Sequence, residues 1–145
     1  EYQKGRPVFP KLVINDTNKT QFLFRINKGK LELSESINQH MPEEERRIPF
    51  RNMIYIGDGI TDVPSMTVMH KAGGYAIAVY DPRRKVPKEV KAMVAENRAE
   101  HFAPADFRGD SLLVKILKRT LRKIIHDISY KASSERSLDW VRRHR

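Results

Sequence analysis

Two aspartates in a glycine-containing stretch are the residues best suited to metal-assisted chemistry in this sequence. Residues 57–62 read Gly-Asp-Gly-Ile-Thr-Asp and follow a short apolar run at 53–56. Loops at the carboxyl ends of parallel strands bind ligands in α/β sheets, and glycines there leave room for a ligand. The carboxylates of Asp58 and Asp62 would make an oxygen-rich site of the kind that suits Mg²⁺. A simpler alternative is a glycine turn in which Asp62 only caps the next helix.

Other motifs that could carry chemistry do not fit. A calcium-binding EF-hand loop starting at Asp58 needs glycine at its sixth position and glutamate at its twelfth, where Val63 and Met69 stand. The sequence has no Walker phosphate-binding loop and no Gly-x-Ser-x-Gly elbow. Its histidines show no metal-ligand spacing. Because the chain contains no cysteine, disulfides, thiolate catalysis and cysteine-ligated zinc are excluded.

The residues around the two aspartates predict a strand, a helix and a second strand. The apolar run at 53–56 is typical of a strand buried on both faces. Pro64 stands where the first helical position would be, and Gly73 and Gly74 end the helix predicted over 65–72. A second apolar run covers 75–79. Strand, helix and strand within about 27 residues predict a right-handed βαβ unit with parallel strands.

The rest of the chain predicts elements that extend this unit. Helices are expected over 20–28, ending at Gly29, over 87–98, and over 111–129 with Asp110 as N-cap. A short strand is expected over 101–103. Residues 1–15 combine β-forming residues with a turn signal and predict a hairpin. The predicted fold class is therefore α/β, with a parallel sheet flanked by helices and an N-terminal hairpin.

Residues 54–66 closely resemble the fourth motif of the haloacid dehalogenase superfamily, in its phosphoserine-phosphatase-like branch. In that family a strand ends in Gly-Asp-Gly-x-x-Asp and a helix follows. The resemblance implies a Rossmann-like core in which Asp58 is a direct Mg²⁺ ligand. It implies that Asp62 is a metal-site and catalytic residue that holds the metal's water shell or neighbouring groups. The glycines that would line the cofactor site are Gly57 and Gly59.

The third motif of the same family is a lysine at the start of the helix before this strand. The tripeptide Asn18-Lys19-Thr20 is similar to it, so the resemblance implies that Lys19 is the catalytic lysine. Its ammonium would offset the negative charge of the transferring phosphoryl group. Lys28 is the second candidate for that role. A surface lysine without a catalytic role is the simplest alternative for either residue.

The resemblance is incomplete in one decisive respect. The nucleophile of this family lies in an Asp-x-Asp-x-[Thr/Val] motif, and no Asp-x-Asp occurs in the 145 residues. Thr61 also departs from the asparagine that close phosphatases often have there. The resemblance therefore implies the C-terminal part of a Mg²⁺-dependent phosphatase that acts through an aspartyl-phosphate in the full-length protein. The chain by itself is expected to be a fragment without activity.

This interpretation divides the chain into three parts and names its partners. Residues 1–15 are the hairpin, 16–130 the C-terminal part of the hydrolase core, and 131–145 a basic C-terminal tail. The expected partners are a small phosphorylated substrate and the missing N-terminal half of the same protein. Alternatively, an open sheet edge and exposed apolar side chains would drive homo-oligomerisation. The side chains expected to be exposed are Ile54 and Ile56 of the strand and the helix-stripe residues Leu113, Leu117 and Ile124. The lack of cysteine fits a cytoplasmic protein.

The formal net charge of +10 leaves other functions open. Much of the excess lies in residues 115–145, and charge of this sign favours anionic partners. The alternatives are a solvated helix face, a small basic nucleic-acid-binding module, and a catalytically inactive regulatory α/β module. None of the basic stretches is rich in aromatic residues, so nucleic acid is not an expected partner. No apolar run approaches the roughly 20 residues that span a bilayer, so a membrane is not expected either.

Overall fold

The chain forms two units, Glu1–Pro49 and Phe50–Arg145. The computed structural model describes residues 2–3, 5–7, 12–15 and 17–144. The first unit contains a helix and a short hairpin, and the second contains a three-stranded parallel sheet with helices. The predicted α/β class with a parallel sheet flanked by helices is therefore confirmed.

The hairpin at the start of the first unit is short. Strand β1 (Tyr2–Gln3) pairs antiparallel with strand β2 (Arg6–Pro7). Gly5 between them has a φ of 74°, a left-handed conformation that glycine adopts without steric cost. Residues 12–15 have no regular structure, and 8–11 lie outside the described residues. Pairing is thus seen only in the first half of the segment predicted as a hairpin.

Helix α1 (Lys19–Lys28) organises the rest of the first unit. It ends at Gly29, whose φ of 70° confirms the predicted stop. The guanidinium of Arg25 is buried and donates to the main-chain carbonyls of Lys30, Glu32, Leu33 and Glu35. The side-chain amide of Asn27 donates to the carbonyl of Ile48 at 2.8 Å. Side chains of α1 therefore hold the irregular segment that follows it.

The second unit is built on a parallel sheet with strand order β3-β4-β5. Strand β3 (Ile54–Gly57) pairs with β4 (Tyr75–Tyr80), and β4 pairs with β5 (His101–Pro104). The register aligns Gly57 with Ala78 and Tyr80 with Pro104. The predicted parallel βαβ unit and the short third strand are confirmed. All three strands therefore end at the same edge of the sheet.

Helices cover both faces of this sheet. Helix α2 (Val63–Lys71) packs on β3 and β4, and helix α3 (Lys88–Ala95) packs on β4 and β5. The start of helix α4 (Leu112–Arg143) packs on β5, where Leu113 and Ile116 join a buried cluster with strand residues; the strand members are Ile77, Val79 and Ala103. Successive strand residues face opposite sides. The buried residues of β4 therefore pack against helices on both faces of the sheet.

Helix α4 differs from the prediction at both ends. Ser111, not Asp110, caps it, with the Ser111 hydroxyl accepting from the Val114 N–H at 3.3 Å. The helix continues to Arg143, 14 residues beyond the predicted end at Ser129. No glycine or proline interrupts residues 112–143, and adding residues to a formed helix costs little. Residues 131–143, predicted as a tail, are therefore helical.

The apolar stripe of α4 is divided between core and solvent. Leu113 and Ile124 are buried, and Leu117, Ile54 and Ile56 pack partly buried against the core, so the expectation that these five would be exposed is wrong. The exposed members of the stripe are Leu121, Ile125 and Ile128. Among the described residues, no helix combines the length and apolar character needed to cross a membrane.

Candidate functional site

The Gly-Asp-Gly stretch forms a tight loop at the carboxyl end of β3. Gly57 is the last residue of the strand, Asp58 follows it, and a 3₁₀ turn (Ile60–Asp62) leads directly into α2. The strand is apolar and Pro64 lies in the first turn of α2, which fits the fixed φ of proline. The side chain of Asp58 is exposed at this edge. It is therefore available to a ligand above the strand ends.

Asp62 is turned inward and ties the loop together. Its side chain is only 6% exposed. One carboxylate oxygen, Oδ2, accepts from the main-chain N–H groups of Asp58 at 2.9 Å and Gly59 at 3.2 Å. The other oxygen, Oδ1, accepts from the hydroxyl of Tyr55 at 2.6 Å. The two aspartates thus have different environments: Asp62 fixes the loop from inside, and Asp58 projects from it.

Tyr55 is a site residue that the sequence analysis missed. Burial raises the pKa of the Tyr55 hydroxyl well above its usual range, and the hydrogen bond to Asp62 raises it further. The hydroxyl therefore keeps its proton and remains a donor to the Asp62 carboxylate. A signal was present in the sequence: a tyrosine in an otherwise apolar buried strand needs a hydrogen-bond partner for its hydroxyl. Asp62, an acidic residue nearby in the sequence, was the natural hydrogen-bond partner for this hydroxyl.

The two glycines of the loop have different structural requirements. A Cβ added at Gly57 would lie 2.6 Å from both Cγ and Oδ2 of Asp62, closer than side chains pack. A Cβ added at Gly59 would meet only Thr61, at 3.8 Å from Oγ1. The backbone of Gly59 is extended, at a φ of −143°. Glycine is therefore needed at 57 to seat Asp62, whereas packing does not require it at 59.

We expect Gly57→Ala to lower the free energy of unfolding by about 1–3 kcal/mol, the usual cost of forcing atoms into a packed site. The new Cβ would push the Asp62 carboxylate away from the donors that hold it. Gly59→Ala is the matched control and should change stability by less than about 0.5 kcal/mol. Urea unfolding of both variants measures the difference. Equal and small effects would contradict the close packing of Asp62 on Gly57.

The loop offers hard oxygen ligands, but not a complete metal site. Asp58 provides an exposed carboxylate at the strand end. Across the part of the chain that the structure describes, no three His, Cys, Asp or Glu side chains are grouped so that they could hold a metal ion. Mg²⁺ commonly keeps several waters and binds through one or two carboxylates together with substrate phosphate. The donor chemistry of Asp58 fits such a shared site, with Asp62 shaping the loop.

The two lysine candidates lie in the first unit, in α1. Lys19 is the first residue of the helix and is half-buried. The ammonium of Lys28 donates to the main-chain carbonyls of Ile37 and Gln39, both at 2.6 Å. Lys28 therefore holds the segment after α1, which argues against a catalytic role for it. The structure brings Gly57, Asp58, Gly59 and Asp62 together in one loop of the second unit.

Comparison with known proteins finds a relative of partly matching length. The chain is 33% identical over 107 residues to an uncharacterized protein of Borreliella burgdorferi, and the match covers 73% of this chain. It covers 36% of the relative, so the chain matches about a third of that protein's length. No family model matches the chain. No solved structure matches it at a significant level either.

Proposed function

We propose that this chain is the C-terminal part of a Mg²⁺-dependent phosphohydrolase of the haloacid dehalogenase type. The single observation that carries the proposal is the loop after β3, in which a buried Asp62 fixes the backbone and Asp58 stays exposed. This division of labour matches what the motif resemblance implies for a direct metal ligand and a supporting carboxylate. In the complete protein, an aspartate would take the phosphoryl group from the substrate and water would then release it.

Asp58 is the residue of this chain that would hold the metal. When bound, Mg²⁺ would neutralise charge on the phosphoryl oxygens. The backbone around Asp58 is held by Asp62, which accepts from the N–H groups of residues 58 and 59. Packing does not require glycine at position 59. Because Gly59 has no side chain, a phosphate could approach the backbone there. Gly57 and Asp62 act by positioning the loop.

The nucleophile would come from a segment outside these 145 residues. No Asp-x-Asp occurs in the chain. Among the described residues, β3 pairs only with β4. Residues 54–56 of β3 are half-buried, whereas the central residues of β4 are buried. A strand that is half-buried at an open edge accepts a further neighbour. The relative from Borreliella burgdorferi extends well beyond the matched region, which is consistent with this proposal.

Lys19 is retained as the catalytic lysine of the proposed enzyme. It begins α1, the position that the third motif of the family requires. The competing candidate, Lys28, already donates to two main-chain carbonyls. In the proposed reaction, the ammonium of Lys19 would balance the charge of the aspartate nucleophile and the phosphoryl group.

The complete reading frame that contains this chain tests the proposal. Upstream of Glu1 it should encode Asp-x-Asp-x-[Thr/Val] after an apolar strand, and its protein should hydrolyse p-nitrophenyl phosphate only with Mg²⁺. Chelation with EDTA should abolish the activity, and added Mg²⁺ should restore it, because the metal carries several kcal/mol of charge stabilisation. Activity that persists in EDTA, or a complete protein without such an aspartate, would overturn the proposal.

One observation favours nucleic-acid binding as a second candidate. The exposed face at the start of α4 carries five cations at helical spacing, namely Lys115, Lys118, Arg119, Arg122 and Lys123. Two of them already pair with aspartates: Lys118 with Asp110 at 2.9 Å and Lys123 with Asp127 at 2.6 Å. Because these two cations are already paired, the case for nucleic-acid binding is weaker. A salt-dependent affinity for duplex DNA with a log–log slope of about −3 or steeper would support it.

A further inference from the structure

Two turns at the carboxyl edge of the sheet share one unusual side-chain arrangement. In the first, Asp81 Oδ1 accepts from the main-chain N–H and the Nε of Arg83, both at 3.0 Å, and Oδ2 accepts from Nη2 at 3.0 Å. In the second, Asp106 binds Arg108 through the same atoms at 3.0, 2.9 and 3.1 Å. The sequences Asp-Pro-Arg and Asp-Phe-Arg share only their first and third residues. The shared pair therefore defines the geometry.

The two turns follow neighbouring strands. Asp81 comes directly after β4, and Asp106 comes two residues after the end of β5. Tyr80 and Pro104 are register partners, and the Ala105 N–H continues the pairing by donating to the Tyr80 carbonyl at 2.8 Å. Adjacent strands lie about 5 Å apart. The turns therefore stand side by side, at the same sheet edge as Asp58, which follows β3.

Each arginine is held by its aspartate but keeps one binding edge open. The carboxylate occupies the edge formed by Nε and Nη2, and the side chains of Arg83 and Arg108 remain 87% and 89% exposed. The second edge of a guanidinium, formed by Nη1 and Nη2, can bind an oxyanion with two parallel hydrogen bonds. The bond to Arg83 lowers the pKa of Asp81 to about 2, and Arg108 lowers the pKa of Asp106 in the same way. Both carboxylates therefore stay charged and keep the arginines in place.

We propose that Arg83 and Arg108 together bind a second phosphate group of the substrate. The inference rests on the proposed phosphohydrolase function and narrows its substrate class to small molecules that carry two phosphates. The reacting phosphate would lie at Asp58, and β5 is two strand spacings from β3, about 10 Å. A tetrahedral phosphate offers enough oxygens for two guanidinium edges at once. Because the aspartates hold the arginines in advance, little side-chain freedom is lost on binding.

An NMR titration of the 145-residue chain tests this inference with fructose 1,6-bisphosphate as the probe. The bisphosphate should shift the Nε–H signals of Arg83 and Arg108 and the main-chain amides of both turns. Arg83→Gln and Arg108→Gln should each weaken binding by about tenfold, the usual value of a charge-assisted bidentate contact. Arg136→Gln, an exposed arginine on the distal half of α4, is the matched control and should change binding less than twofold. Circular dichroism confirms that each variant is folded.

The titration also separates this inference from the proposed function. The shifts at the two turns should persist in Asp58→Asn and without Mg²⁺, since the arginines need neither. Failure of phosphatase activity in the complete protein would then leave the phosphate contacts standing. Conversely, an active Mg²⁺-dependent phosphatase whose turns show no shift up to the solubility limit of the sugar phosphate would overturn the inference alone. Shifts of equal size with sodium chloride at the same ionic strength would also overturn it, because they would reflect screening only.

Discussion

Asp58→Asn is expected to abolish the Mg²⁺-dependent phosphatase activity that we propose for the complete protein. Asparagine keeps the size of the side chain but removes the charge that a first ligand of Mg²⁺ supplies, which is worth several kcal/mol, or on the order of a thousandfold in rate. Because Asp58 is exposed, the change should leave the free energy of unfolding within about 0.5 kcal/mol of the parent. Steady-state kinetics and urea unfolding measure the two quantities separately.

The matching change at Asp62 should act differently. Asp62 accepts from Tyr55 on one oxygen and from two main-chain N–H groups on the other. An asparagine amide would present N–H groups to one of these donor sets, so the loop would shift. We expect Asp62→Asn to weaken activity by roughly 10–100-fold, as is typical for residues that orient metal ligands.

A control and a contradicting outcome complete this experiment. Asp139→Asn removes a carboxylate from the exposed distal half of α4 and should change neither rate nor stability. Near-parental rates for both Asp58→Asn and Asp62→Asn would refute the assignment of the loop. A large stability loss in Asp58→Asn would show instead that this aspartate serves the fold.

The 145-residue chain by itself is expected to show no turnover of p-nitrophenyl phosphate at saturating Mg²⁺. Phosphoryl transfer in the proposed mechanism needs an aspartate nucleophile, and the chain contains no Asp-x-Asp motif. Two other aspartates at the sheet edge, Asp81 and Asp106, each bind an arginine. A phosphatase assay against a buffer blank, with the protein from the complete reading frame as positive control, measures this.

The purified 145-residue chain should be a dimer or a larger oligomer by light scattering. Among the described residues, the outer edge of β3 pairs with no strand, and open edges recruit further chains. The exposed apolar residues Leu121, Ile125 and Ile128 on α4 add to this tendency. A well-behaved monomer with metal-dependent turnover would show that the nucleophile has been assigned to the wrong part of the protein.

The sequence by itself determined the elements that carry the candidate site. The apolar runs before residue 57 and after residue 74, with a proline-started helix between them, predicted the parallel pairing of β3 and β4. Such signals are local: strand periodicity, the fixed φ of proline and the left-handed turn at Gly29 act within a few residues. The same local pattern placed Asp58 and Asp62 in one loop.

Only the tertiary structure decided what each side chain does. The hydrogen bond from Tyr55 to Asp62 depends on how the chain folds back after β3. The hydrogen bonds from Lys28 to two main-chain carbonyls depend on how it folds back after α1. The two Asp–Arg turns become neighbours because β4 and β5 pair in register. Helix α4 runs to Arg143 with no glycine or proline to interrupt it. Its start packs on β5, whereas Leu121, Ile125 and Ile128 stay exposed. Residue spacing fixes which side chains share an element, whereas their contacts depend on the packing of distant segments.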